Sequence, residues 1–181
     1  MKKVIIPLAG GCEEMEVVII ADVLRRAGID VTLAATGNAT ITASRGIKLT
    51  ADCLWSAVNP AQYDAIIIPG GADGVERLRQ HTALREALTE SHAAGRLIAA
   101  ICAGPQVLHA AGLLDGRKAT CYPTLAEKLP TAHYQKETVV TDGNIITSRG
   151  PGTAFEFALT IAARLAGHDR AAQVRSALCM E

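Results

Sequence analysis

Cys102 stands where a cysteine could act as a nucleophile. The run Leu97-Ile98-Ala99-Ala100-Ile101 reads as a buried strand, and Ala103-Gly104-Pro105 opens a helix directly after it. A strand that turns sharply into a helix crowds the positions two before and two after the turning residue, so both must be small. Here they are Ala100 and Gly104. The spacing matches that of a nucleophile elbow with cysteine in place of serine. A sulfur so placed faces a helix N-terminus, whose free N–H groups favour thiolate, and a lowered pKa is expected.

The other chemistry-bearing residues are weaker candidates. Cys12, Cys53, Cys121 and Cys179 are scattered, with no C-x-x-C pair among the five cysteines, so neither a zinc ribbon nor a thioredoxin motif is present. Free thiols are expected in a reducing compartment. The five histidines at 81, 92, 109, 133 and 168 show no metal-ligand spacing. His109 lies on the helix after Cys102, where a structural role is expected. Glu13, Glu14 and Glu16 cluster at the start of the first predicted helix, where its dipole favours acids. Glu16 differs because it adjoins the apolar run Val17–Ala21, and a carboxyl facing inward needs a partner or a raised pKa. Gly70-Gly71, after Ile66-Ile67-Ile68-Pro69, permits close backbone approach. Neither glycine run has phosphate-loop or dinucleotide spacing.

These residues need positioning elements, and the chain supplies strands alternating with helices. Strands are predicted at Lys3–Leu8, Ile29–Ala35, Ala65–Ile68, Leu97–Ile101 and Lys118–Cys121. Helices are predicted at Glu14–Ala27, Gly74–Gln80, Thr82–Ala94, Pro105–Ala111, Thr153–Leu165 and Arg170–Ala177. A small hairpin is expected around Ser44-Arg45-Gly46. Another, Thr138–Thr141 with Asn144–Thr147, carries the Asp142-Gly143 signal of a type I′ turn. Short continuous apolar strands are the mark of a parallel sheet buried on both faces. The site of such a sheet lies beyond the carboxyl ends of its strands, where Ala9-Gly10-Gly11, Pro69-Gly70-Gly71 and Cys102 fall.

Composition limits the alternatives. The 181 residues carry 18 Lys+Arg against 18 Asp+Glu, so no specific nucleic-acid site is expected. Aromatics at 3% disfavour a base-stacking platform. No apolar run approaches the roughly 20 residues that span a bilayer, and the start reads as a strand, not a secretion signal. One cytoplasmic domain over residues 1–181 is expected, with no membrane association.

Six stretches taken together resemble the DJ-one/ThiJ/PfpI superfamily. They are Glu13-Glu14-Met15-Glu16, Asp22–Ile29, Ser44-Arg45-Gly46, Ile68-Pro69-Gly70-Gly71, Ala99–Pro105 and Thr147–Thr153. The resemblance is to the branch containing the human parkinsonism-associated protein and its bacterial relatives. It implies a flavodoxin-like three-layer α/β sandwich, mostly parallel, with helices on both faces and a small β-hairpin, and it implies a homodimer. Cys102 matches the reactive cysteine, and Glu16 the protonated glutamic acid that hydrogen-bonds to it. The backbone N–H groups of Gly71 and Ala103 match the oxyanion-binding position. Arg45 of the partner subunit and Arg26 match arginines lining the dimer interface, with Asp22 as an ion-pair partner for one of them.

Two departures bear on activity. The protease-like branch has histidine directly after the cysteine, where this chain has Ala103, so peptidase activity is not expected. Many relatives carry a histidine just before Pro123; here Cys121-Tyr122 precede it, and Tyr122, Glu16 or water must take that role. The function implied is removal of reactive dicarbonyls without cofactor or metal, as a glutathione-independent glyoxalase III-type lyase or as a deglycase (a hydrolase) of protein and nucleotide adducts. The alternative is a redox-responsive protective protein or chaperone in which Cys102 oxidises to sulfinate.

Overall fold

The strands that read as unbroken apolar runs are the ones at the centre of the sheet. In the computed structural model, which describes residues 1–180, the elements run in order β1 Lys3–Leu8, α1 Glu14–Arg26, β2 Asp30–Ala35, β3 Thr40–Thr42, β4 Lys48–Thr50, β5 Cys53–Leu54, β6 Ala65–Ile68, α2 Ala72–Gln80, α3 Thr82–Ala93, β7 Leu97–Ile101, α4 Pro105–Ala110, β8 Lys118–Ala119, β9 His133–Tyr134, β10 Val139–Asp142, β11 Ile145–Ser148, α5 Ala154–Ala166 and α6 His168–Ala177. The main sheet has seven strands in the order β10-β11-β7-β6-β1-β2-β5. Every pairing in it is parallel except the β10–β11 hairpin.

The period-2 alternation of strand side chains divides the core in two. Val4, Ile6 and Leu8 of β1, with Ile67 of β6 and Ala99 and Ile101 of β7, face α1, α5 and α6, where Phe157 is wholly buried. Ile5, Ile66, Ile68, Ile98 and Ala100 face α2, α3 and α4. Strands apolar on both faces and helices with one apolar stripe can bury their surface together only as such a three-layer sandwich. Among the described residues no helix is long and apolar enough to cross a membrane.

Three details depart from the expected elements. The strand expected at Lys118–Cys121 is only Lys118–Ala119, and it pairs with β9 outside the main sheet. Thr120 N–H turns instead to Thr147 Oγ1, 2.9 Å away, and Pro123 further on has no N–H for a ladder. The β10–β11 turn consists of Gly143 and Asn144, with positive φ at Gly143 alone, whereas a type I′ turn needs it at both central residues. β5 and β9, two residues each, carry too little pattern to be foreseen.

β1, β6 and β7 are neighbours in the sheet, so the three flagged loops (residues 9–11, 69–71 and 102–104) meet at one edge. The β3–β4 hairpin closes over that edge from the β1 side, through Gly11 N–H to Thr42 O at 2.8 Å and Ser44 N–H to Cys12 O at 2.8 Å.

Candidate active site

Cys102 is held in a conformation that L residues rarely adopt, with φ at 62°. Its own backbone fixes it there. Its N–H donates to Ser148 O at 3.0 Å, and its carbonyl accepts from Tyr122 N–H at 2.8 Å. Below it, Ser148 Oγ and Thr153 Oγ1 lie 2.7 Å apart, and Ser148 Oγ also donates to Thr138 O at 2.7 Å. The Ser148–Thr153 run thus braces the strained turn. The smallness inferred at 104 is real: a Cβ on Gly104 would lie 2.7 Å from Ile68 O and 2.8 Å from Ile101 O.

Glu16 is wholly buried on the inward face of α1. Its Oε2 accepts from Gly70 N–H at 2.6 Å, and its Oε1 has no partner among the described residues. Gly70 separates this carboxyl from the thiol. A Cβ there would stand 2.7 Å from Glu16 Oε2, 3.0 Å from Cys102 Sγ and 2.6 Å from Cys102 Cβ. Only a glycine lets these two groups share the space. Burial pushes the Glu16 carboxyl up to about 7, against the lowering pull of Gly70 N–H and the Cys102 side chain, with the charge of Glu13 adding to the rise.

The thiol does not behave as its position suggested. Burial, then the charge and close approach of the Glu16 carboxyl, push Cys102 up to about 12, while the N–H groups of Ala103 and Gly71 pull the other way. The expected lowering by the helix N-terminus is therefore corrected. The helix after Cys102 has only six residues, so its dipole is small beside the loss of hydration and a neighbouring carboxylate. Two of the unfavourable causes vanish whenever Glu16 holds a proton. The two groups form a coupled pair that shares protons.

Glu13 and Glu14 do more than favour a helix start. Both are buried, and the Ser44 hydroxyl, with one proton to donate between them, lies 2.7 Å from Glu13 Oε2 and 2.9 Å from Glu14 Oε2. Glu14 Oε1 also accepts from the N–H groups of Arg45 at 2.9 Å and Ile47 at 3.4 Å. Burial works to raise the Glu14 pKa, but its own N–H, Ser44, Arg45 and Ile47 outweigh it and hold the carboxyl below its ordinary value. The acidic cluster thus clamps the hairpin loop that carries Arg45. Partners thirty residues away left no local signal in the sequence.

A cleft of about 530 Å³ opens over the sulfur, walled by Gly71, Ala103, Glu13, Arg45 and Tyr122. The chain's own Arg45 lines it. Tyr122 is exposed and its ring lies against Gly150. Arg26 and Asp22 form an ion pair at 2.6 Å, on the exposed side of α1 and outside the cleft. His109 Nδ1 lies 3.3 Å from Thr131 Oγ1, a structural contact. Among the described residues no three His, Cys, Asp or Glu side chains converge as a metal site.

A seven-stranded α/β sandwich bearing a strained strand-to-helix cysteine and a buried glutamic acid defines a class of cysteine-centred proteins. The profile of the DJ-1/PfpI family matches residues 2–164, and the chain belongs to that family. It is 42% identical to protein dj-1beta of Drosophila melanogaster, over 98% of this chain and 96% of that one. Protein DJ-1 homolog B of Arabidopsis thaliana is 44% identical over 99% of this chain, which spans only 42% of the plant protein's length. A Caenorhabditis elegans relative, 38% identical over 93% of this chain and 90% of its own, is named glutathione-independent glyoxalase DJR-1.2. The crystal structure of the Drosophila protein superposes with a TM-score of 0.96, covering 99% of this chain and 98% of that one. The structure of Toxoplasma gondii DJ-1, described as oxidized, also gives 0.96, at 41% identity and 99% coverage of both chains.

Proposed function

We propose that this protein removes reactive α-dicarbonyls by a cysteine-dependent route that uses no glutathione, acting as a glyoxalase on free methylglyoxal and as a deglycase on its early adducts. The observation that carries the reading is the buried Glu16 carboxyl, raised to about 7 and set against Cys102 across Gly70. A group titrating near neutrality within reach of a nucleophile is suited to take and return protons. The reactive form of the pair holds one proton. As Sγ adds to the aldehyde carbon, that proton passes to Glu16. The N–H groups of Gly71 and Ala103 receive the developing oxyanion. Glu16 then returns the proton to that oxygen, giving the hemithioacetal.

From the hemithioacetal, Glu16 removes the hydrogen of the former aldehyde carbon as a proton and delivers it to the neighbouring carbonyl oxygen, giving an enediol. A proton then adds to the second carbon as the hydroxyl on the first gives one up to Glu16, which leaves a lactoyl thioester on Cys102. Water cleaves it, releasing lactate and the thiol, so that methylglyoxal and one water become lactic acid. Early adducts on amines and thiols release the dicarbonyl reversibly, so the deglycase activity draws on the same site. Ala103 leaves no histidine beside the nucleophile for peptide cleavage.

Lactate formation from methylglyoxal by metal-free, glutathione-free protein tests this. Cys102→Ser is expected to abolish it, and activity retained in that variant overturns the reading.

A homodimer and a cytoplasmic location belong to the same proposal. Met15 and Val18 are about half exposed on successive turns of α1, and Ile47, also exposed, follows in the loop clamped to the start of that helix. Apolar side chains exposed together in this way favour a partner surface, and a symmetric pair is the commonest closed assembly. The free thiols suit a reducing compartment.

A second reading, a redox-responsive protective protein, draws on the oxidized state described for the Toxoplasma gondii relative. Two equivalents of hydrogen peroxide would take the Cys102 thiolate to sulfinate and leave two waters. A gain of two oxygens on the Cys102 peptide at peroxide levels that leave Cys179 unchanged would favour this role.

A further inference from the structure

Beside the Cys102 cleft lies a larger chamber, about 720 Å³, at the carboxyl ends of β1 and β2. The β3–β4 hairpin forms one side and the α2–α3 junction the other. Its lining shares Gly11, Ser44 and Asp73 with the Cys102 cleft, so these three residues stand between the two adjacent volumes, and a chain running from one to the other passes over them. The mechanism proposed above for methylglyoxal uses only the smaller one. A three-carbon substrate leaves the larger chamber without a role.

The chamber's walls are polar and carry one uncommitted cation. Arg77 forms no ion pair and no side-chain hydrogen bond among the described residues. Asp73 precedes it by one helical turn and lines the shared wall, yet lies beyond ion-pair distance of it. Asn38 and Thr42 also line the chamber, with side-chain donors that no other group occupies among the described residues. His81 Nδ1 accepts from Leu84 N–H at 3.2 Å, which leaves the neutral ring's proton on Nε2 as a further donor. Gly37 has nothing within 4 Å of where a Cβ would stand, so bare backbone widens the floor.

A guanidinium with amide, hydroxyl and imidazole donors around one polar cavity is the chemistry that recognises a carboxylate or phosphate. We propose that this chamber is an anion subsite, holding the carboxylate or phosphate end of a larger α-oxoaldehyde, or of its adduct, while the aldehyde carbon sits on Cys102. The subsite rests on the dicarbonyl reading and narrows it: substrates with an anionic tail are preferred to methylglyoxal itself.

The test uses 2-oxoaldehydes with alkyl chains of graded length that end in a carboxylate, a phosphate or an uncharged carboxamide. At one chain length the anionic compounds should show KM about tenfold below the carboxamide, the scale of one charge-assisted contact. Carboxylate against phosphate at equal length identifies the preferred anion. Arg77→Gln should bring the anion-to-amide ratio within about twofold, and Arg77→Lys should restore part of it. Because the ratio is internal to each variant, a loss of folded protein cannot imitate this result. The matching methyl ketones, which lack the aldehyde, give the same comparison by calorimetry without turnover. Equal affinity for anionic and amide ketones in the wild-type protein, or a preference that survives Arg77→Gln, overturns the subsite. Absence of lactate from methylglyoxal overturns the dicarbonyl reading instead, and the calorimetric ratio still decides whether the chamber binds anions.

Discussion

Gly70→Ala places one methyl group between the two groups on which the proposed chemistry depends. The new Cβ would stand 2.6 Å from Cys102 Cβ, 2.7 Å from Glu16 Oε2 and 3.0 Å from Cys102 Sγ. Each is well inside van der Waals contact. Gly70 is not among the positive-φ residues, so alanine suits its backbone conformation but not its space. Glu16 must swing away, and the Gly70 loop must shift as well, since Cys102 Cβ sits on backbone pinned through Ser148 O and Tyr122 N–H. Overpacking of this kind costs about 1–3 kcal/mol. For a chain of this size that lowers Tm by roughly 2–12 °C, which scanning calorimetry resolves. A displaced carboxyl no longer relays protons, so lactate formation should fall by about 10²–10⁴-fold, the usual contribution of a general acid–base. A folded Gly70→Ala protein that turns over methylglyoxal at nearly the wild-type rate would refute the reasoning, because the observed Glu16–Cys102 geometry would then be dispensable.

Other expectations follow from the same site and its surroundings. The Glu16 carboxyl is raised from 4.5 to about 7, so its contribution to stability is full below pH 4.5 and is lost as pH rises through 7; relative to Glu16→Gln, the wild type should lose roughly 3 kcal/mol over that window in urea denaturation. The wild-type rate should rise with pH through about 7, and Glu16→Gln should lose that limb together with turnover. With limiting iodoacetamide at pH 6, exposed Cys179 should alkylate before Cys102, whereas wholly buried Cys12 and Cys121 stay unlabelled; peptide mapping that finds Cys102 labelled first would mean its thiol is far more acidic than burial and Glu16 imply. Sedimentation should give twice the chain mass of 19.0 kDa for the wild type, and Val18→Glu should shift it toward the single chain.

How much of the molecule its sequence disclosed depends on how local the determining interaction is. Ala65–Ile68 and Leu97–Ile101 were legible because a strand buried on both faces must be apolar throughout, and a run of four or five such residues has few other uses. The Cys102 elbow was legible because its steric requirement falls on residues two positions away. The short β8 was not, because it ends where Thr120 turns to a hydroxyl on β11, twenty-seven residues along the chain. The Glu13–Glu14 clamp escaped for the same reason. The first-turn acids have an adequate local explanation in the helix dipole, and only the fold reveals that Ser44 and two backbone N–H groups engage them.

The reactivity of Cys102 belongs to this second kind. Position in the chain predicts a sulfur at a helix N-terminus and therefore an acidic thiol. The fold supplies two stronger influences, removal from water and a carboxylate across Gly70, and both act in the opposite direction. The outcome need not be an inert cysteine. Glu16 loses its proton near pH 7 and the thiol holds its own to about 12, so the pair carries two protons below about pH 7 and one above it. That proton can sit on sulfur or on oxygen. Attack on a carbonyl draws it from sulfur to Glu16 at the moment the new bond forms, and the raised carboxyl makes the acceptor a good one. A free thiolate in the resting protein is then unnecessary, and the site stays protonated and unreactive until an electrophile enters the cleft.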